Sequence, residues 1–294
     1  MAGDIQNQSG IRSIRLQGRL DAVESYLPFA LSLPLAILYL LFLGLPLATI
    51  VQLSLQGETL WSNYVAVFTE AAYRQSILVS LQIAVTVTVI TTSVGLTIAY
   101  FLSKNEFPGK RIVISIINFP TSLPGILIAW GIIVVVGRQG IFSLLASDIT
   151  GARPGTYAFA IGYWGILAGY TYFTLPRVTM TLLSSLENLN QELEEVAYSL
   201  GASRLQTFRH VVIPEIMPGV ASAVVLAFSI NMVAFGTALL LAAGEVSVLP
   251  LQIYSVILGF GDYNLASALA VVLTVITLGV IMSYGYFFGG SIYD

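Results

Sequence analysis

Leu189-Asn-Gln-Glu-Leu-Glu-Glu-Val-Ala-Tyr-Ser-Leu-Gly-Ala-Ser-Arg-Leu-Gln-Thr-Phe-Arg-His-Val-Val-Ile-Pro-Glu-Ile-Met-Pro218 is the only long polar interval in an otherwise greasy chain. Leu189, Leu193, Val196 and Leu200 recur at helical spacing and share one face. Glu187, Glu192, Glu194 and Glu195 load the front of that helix with negative charge, where the helix dipole favours it. Gly201 supplies a residue that can turn left-handed and end the helix. Ser203 with Gln206 is a capping-box pair for a second helix. That helix carries Leu205, Phe208 and Val211 or Val212 on one side, with Arg209 and His210 near its end. Pro214 and Pro218 stop it and redirect the chain. The stretch reads as two short amphipathic helices joined by a glycine elbow, set between two hydrophobic spans.

What surrounds it decides the class. Of 294 residues 56% are hydrophobic and only 9% charged, too little charge to cover a soluble surface. Six long uncharged gaps run from Glu24 to Glu58, Arg74 to Lys104, Arg111 to Arg138, Arg153 to Arg177, Glu215 to Glu245 and Asp262 to Asp294. Each can hold a helix of about 20 apolar residues, the length that crosses a bilayer core. The apolar runs are continuous and do not alternate, which excludes an outer-membrane barrel. The expected fold is all-α: a polytopic membrane protein of six transmembrane helices, with the polar loop between spans 4 and 5. A polar segment over residues 1–25 precedes a transmembrane domain over 26–294. In the segment, Arg12, Arg15 and Arg19 suit a solvated or interfacial tail or contact with anionic lipid.

The spans are expected at about 27–51, 77–102, 112–136, 157–174, 220–243 and 268–288. Pro120 and Pro124 must disturb span 3 and free carbonyls that need partners. Gly165 with Gly169 and Gly285 with Gly289 are small-xxx-small pairs suited to helix packing. No ionisable residue falls inside any of these spans, which argues against carriers that bind a coupling ion within the membrane. The polar candidates for a translocation path are Asn118, Thr121 and Ser122 on span 3, and Ser229, Asn231 and Thr237 on span 5; inter-helix hydrogen bonding is the competing role. Six spans put both termini on one side. That side holds Arg12, Arg15, Arg19, Lys104, Lys110, Arg111, Arg177, Arg204 and Arg209, leaving Arg74, Arg138 and Arg153 opposite. The positive-inside rule therefore places the termini and the loop before Pro218 in the cytoplasm. The acid-rich outer loops, with Glu58, Glu70, Asp148, Glu245 and Asp262, would suit a cationic solute, although charge sorting produces the same bias.

The polar loop resembles that of permease subunits of ATP-binding-cassette importers, in which Glu-Ala-Ala, a three-residue gap and Gly are followed by a hydrophobic residue and Pro. Glu195-Val196-Ala197, Gly201-Ala202-Ser203 and Ile213-Pro214 stand in those places, with Val196 for the usual first Ala. The likeness covers about residues 76–288. It implies a bacterial inner-membrane protein with an ATPase-coupling surface at Glu195, Val196, Ala197, Leu200, Gly201, Ala202, Ser203, Phe208 and Pro214. It also implies two ATPase copies that bind ATP and Mg, a second permease subunit, and a periplasmic or lipid-anchored solute-binding protein. Phe119-Pro120-Thr121-Ser122-Leu123-Pro124-Gly125 and Val248-Leu249-Pro250-Leu251-Gln252-Ile253-Tyr254 look most like the group serving spermidine/putrescine, iron(III), thiamine and 2-aminoethylphosphonate.

Other classes find little footing. There is no cysteine and a single histidine, so no thiolate or histidine-cluster metal site is expected. No His-Glu-x-x-His, Gly-x-Ser-x-Gly or Ser-x-x-Lys pattern points to an enzyme, and no P-loop is present. No basic patch suits nucleic acid. An ion-coupled carrier or channel is the alternative, transporting without ATP. No cofactor is expected in this chain.

Overall fold

The computed structural model describes residues 32–153, 155–158 and 160–288. The tail over 1–25, the start of span 1 and Gly289 lie outside them. The chain divides into two compact units at Leu53 and Ser54. The first holds all but the last residue of α1, Ser32–Ser54, a 23-residue apolar helix with a π-helical turn at Leu40–Gly44.

The second unit holds the remaining helices, and no strand occurs among the described residues. Its axis is α3, Ala71–Lys104, about 50 Å long at 1.5 Å per residue. α7, Tyr163–Glu187, packs along α3 more extensively than any other element, and α10, Met217–Val233, lies against both. Small residues let them approach: a β-carbon on Gly95 would stand 3.1 Å from Val178 Cγ1. Around the Lys104 end, Ala99 and Leu102 meet Val178, Leu182, Leu186, Val212 and Ala223 in one buried cluster. At the other end Tyr73 and Ile77 meet Val67 of α2 (Ser62–Thr69) and residues of α12 (Leu249–Phe260) and α13 (Tyr263–Phe288). The Leu249 N–H, at the start of α12 before Pro250, donates to Ser80 Oγ of α3 at 2.6 Å.

The segment expected as span 3 is broken. α4 covers Lys110–Asn118, a 3₁₀ turn follows at Phe119–Ser122, and α5 begins at Gly125 and ends at Val136. Pro120 and Pro124 each lack an N–H and forbid a continuous α-helix there. A short turn joins α5 to α6, Ile141–Thr150. Among the described residues four helical stretches are long and apolar enough to cross a membrane: Ser32–Ser54, Ala71–Lys104, Gly125–Thr150 and Tyr263–Phe287. A fifth arises if α9 (Arg204–Glu215) and α10, bent by 68°, count as one.

By length and composition that is four or five of the six expected spans, for local reasons. The apolar stretch of span 3 shifts to 125–150 because of the prolines. Span 4 begins at Tyr163, not 157, and runs on to Glu187 with threonines, serines and Arg177 diluting its apolar character. Span 5 stops at Val233, and a separate helix α11, Gly236–Leu241, follows the break. The Ala234 carbonyl left by that break accepts from the Tyr170 hydroxyl of α7. The glycine pairs divide. Gly165 and Gly169 lie at close approaches, whereas Gly285 has nothing within 4 Å among the described residues.

Candidate functional site

The loop before α10 folds as its residues dictate. Asn190 caps α8, Gln191–Ser199, by accepting the Glu192 N–H at 3.0 Å, with Glu192 and Glu194 in the first turn. Gly201 follows with φ +84. The Ala202 N–H reaches the Ala197 carbonyl and the Gly201 N–H reaches the Tyr198 carbonyl, both at 3.0 Å, closing the helix end as a Schellman turn. Ser203 and Gln206 form the reciprocal capping box that starts α9. A π-helical turn at Phe208–Val212 and Pro214 precede the bend into α10.

An ion pair and a ring contact fasten this loop to α3, beside the buried cluster that holds Val212. Lys104, the last residue of α3, is ion-paired with Glu194, whose side chain is only 8% exposed. The Tyr100 and Phe208 rings meet edge to face at 4.7 Å between centroids. Between α3 and the loop lies a cavity of about 1000 Å³ with Ser93, Tyr100, Lys104, Glu194, Arg204 and Phe208 in its wall. The outward side is unlike the inward one. Leu193, Val196, Leu200 and Leu205 are exposed, as are Glu195, Gly201, Ser203 and Pro214, while Ala197, Ala202 and Phe208 are half-buried. The apolar row expected on one helix face is therefore buried only at Leu189. His210 is exposed, with Nδ1 3.1 Å from the Gln206 carbonyl, and no metal-binding group is found among the described residues.

The polar candidates for a path fall in two places. Asn118 and Ser122 are exposed at the broken segment, with Thr121 half-buried and its hydroxyl donating to the Asn118 carbonyl at 2.7 Å. Asn231 and Thr237 are enclosed instead, each no more than 3% exposed. Asn231 Oδ1 accepts from Thr174 Oγ1 at 2.8 Å. Its Nδ2, like Ser229 Oγ, is enclosed without a partner among the described residues. Sequence reasoning put Arg177 in the cytoplasmic loop; it lies well inside α7. Its guanidinium donates from Nη1 to the Phe173 carbonyl at 2.6 Å and from Nη2 to the Thr121 carbonyl at 3.4 Å. It also lies 4.1 Å from the Phe173 ring centroid. A carbonyl freed by the span-3 prolines thus finds its partner in α7.

The family model for the inner membrane component of binding-protein-dependent transport systems matches residues 92–288. The chain belongs to that family. The permease is 33% identical to the sulfate transport system permease protein CysT of Salmonella typhimurium over 264 residues, 87% of this chain and 90% of that protein. It is 28% identical to the molybdenum transport system permease protein ModB of Haemophilus influenzae over 205 residues, 68% of this chain and 87% of that one. Its fold is that of a chain in a bacterial alginate ABC transporter crystallised with an alginate-bound periplasmic protein. That match has TM-score 0.77 and 20% identity, covering 90% of this chain and 95% of that one.

Membership makes this a multi-pass inner-membrane permease subunit of an ABC importer, a transport component and not itself an enzyme. The alternative of an ion-coupled carrier gives way to it. The narrower likeness to the polyamine and iron group is not supported, since these relatives serve sulfate and molybdenum systems. The segments that suggested it hold the helix break at Pro120 and Pro124 and the start of α12 at Pro250. Sequence reasoning missed Glu194 and Lys104 as a tether, and Arg177 as an interior cation. Three neighbouring glutamates gave no sign which one turns inward. Taking span 4 to end at Thr174 hid the arginine three residues further on.

Proposed function

We infer that the permease forms half of a translocation pathway for an oxyanion of the sulfate or molybdate class, driven by a separate ATPase. The observation that carries the solute class is the similarity to a sulfate permease over 87% of this chain and to a molybdenum permease over 68% of it. The partners proposed are two copies of an ATP- and Mg-binding ATPase, a second permease subunit, homologous or identical, and a solute-binding protein on the outer side. Six crossings fit this assembly. α7 has 25 residues, about 37 Å of helix, and α10 continues from a bent loop.

Coupling runs through the loop at residues 189–218, with Glu195, Val196, Ala197, Leu200, Gly201, Ala202, Ser203, Phe208 and Pro214 as the contact set. In support, Leu193, Val196, Leu200 and Leu205 are exposed on a loop whose other side is tethered to α3. An exposed apolar row beside small residues suits a protein socket. A loop held at Lys104 and Phe208, and leading through Pro214 into α10, passes displacement to the helices that pack together in the membrane. The path is assigned to the broken segment with Asn118, Thr121 and Ser122, while Ser229, Asn231 and Thr237 serve helix packing.

Reconstitution tests the reading. The permease with its ATPase and solute-binding protein, in liposomes, should take up sulfate or molybdate only with ATP. Uptake without nucleotide, or uptake of polyamine or iron(III) in place of either oxyanion, would overturn it.

A further inference from the structure

We propose that Arg177 is the anion-contacting residue of the translocation path, set where the broken segment Asn118–Ser122 meets α7. This rests on the oxyanion reading above and adds to it the group that selects charge.

Depth comes first. Arg177 lies fourteen residues from the start of α7 and ten from its end, about 21 Å and 15 Å along the axis. A second measure agrees. The neighbouring Val178 stands against Gly95, nine residues before the end of α3, so the contact is about 14 Å inside the Lys104 end. A cation that far inside a spanning helix is costly against lipid, and such groups face the bundle interior and mark substrate paths.

Charge comes second. Neither ion pair among the described residues involves Arg177. No Asp or Glu occurs in α3, between Arg111 and Arg138, from Tyr163 to Leu186, or between Glu215 and Glu245, so the helices around it supply no counter-charge. Carbonyls of Phe173 and Thr121 orient the guanidinium and take two of its N–H groups. Three of its five donors remain, in a planar fork that matches tetrahedral oxyanions two oxygens at a time. The side chain is half-buried, so one side is open. The bond to the Thr121 carbonyl joins the guanidinium to the broken segment, whose Asn118 amide and Ser122 hydroxyl are exposed and can donate to an anion that has shed water. An uncompensated cation there repels polyamines and iron(III), which opposes the inference from the acidic outer loops.

The test uses the assembled transporter in liposomes, with radiolabelled sulfate and molybdate as probes and ATP hydrolysis stimulated by the solute-binding protein as a second readout. Arg177→Gln is expected to lower uptake at least tenfold while stimulated ATP hydrolysis stays within twofold of wild type. Arg177→Lys, which keeps charge and loses the fork, is expected to recover part of the uptake. Uptake by Arg177→Gln within twofold of wild type would overturn the assignment. So would loss of assembly in Arg177→Gln that Arg177→Lys restores together with full uptake, because the charge would then be structural. Failure of the wild-type transporter to carry either anion sinks the oxyanion reading itself, and this assignment with it.

Discussion

Lys104 closes α3 by pairing with Glu194, a residue ninety positions later in the chain and in the first turn of α8. The pair ties the longest helix of the second unit to the loop proposed to meet the ATPase. Glu194 is nearly enclosed while Lys104 is partly open, so solvent screens part of the attraction. Breaking it with Glu194→Gln should cost about 1–2 kcal/mol of local stability, seen as faster amide exchange in 191–207. Uptake should fall further than ATP hydrolysis, because the loop then moves without carrying α3. The exchanged pair Lys104→Glu with Glu194→Lys should recover much of the coupling. Wild-type uptake by Glu194→Gln, with amide exchange in the loop unchanged, would show the pair to be incidental.

Gly201 is strained for any other residue by its backbone alone, since a β-carbon there meets nothing within 4 Å and φ is +84. Gly201→Ala should cost roughly 1–2 kcal/mol for the left-handed conformation. Gly201→Asn should cost less, because asparagine tolerates that region. Gly201→Pro removes the N–H that reaches the Tyr198 carbonyl and demands a negative φ. It should abolish uptake while membrane abundance remains. Normal uptake by Gly201→Pro vesicles would count heavily against the coupling role of the elbow.

Local chemistry was the most readable part of this sequence. The left-handed glycine, the Ser203–Gln206 capping box and the disruption at Pro120 and Pro124 all follow from rules that act within a few residues. Helix length was less readable where hydropathy and geometry part company. α7 continues through Arg177 because α3 and the Thr121 carbonyl give its residues partners, information that no window of sequence contains. The loop acids Glu58, Glu70, Asp148, Glu245 and Asp262 suggest a cationic solute, at odds with the proposed oxyanion; all five are exposed, and solvated loop acids carry little information about cargo.

Asn231 looks like a path residue in sequence, a lone amide in an apolar span, yet it is enclosed and bonded to Thr174. Inter-helix hydrogen bonds in membranes contribute about 0.6 kcal/mol each. Asn231→Leu also removes an enclosed Nδ2 that lacks a partner among the described residues. The two effects nearly offset, so the melting temperature in detergent should move little and uptake should stay within about twofold. A loss of uptake with unchanged melting would return Asn231 to the path.

Gly169 and Gly285 belong to the same sequence pattern and differ in what surrounds them. A β-carbon on Gly169 would lie 2.6 Å from Leu241 Cδ1 and 2.8 Å from Thr237 Cγ2, both on α11. Leu241 is fully buried, so it cannot swing into solvent, and α11 must shift instead. Gly169→Ala should therefore destabilise by about 1–3 kcal/mol, the usual range for overpacking a core. Gly169→Val should do worse. A β-carbon on Gly285 meets nothing within 4 Å among the described residues, and alanine is the better helix former, so Gly285→Ala should be neutral or slightly stabilising. Thermal unfolding of the two alanine variants, purified side by side, checks the contrast. Equal melting would mean that the α7–α11 approach is looser than the packing around Gly169 requires. A Gly285→Ala variant that melts normally but fails to assemble would place a second subunit against that glycine.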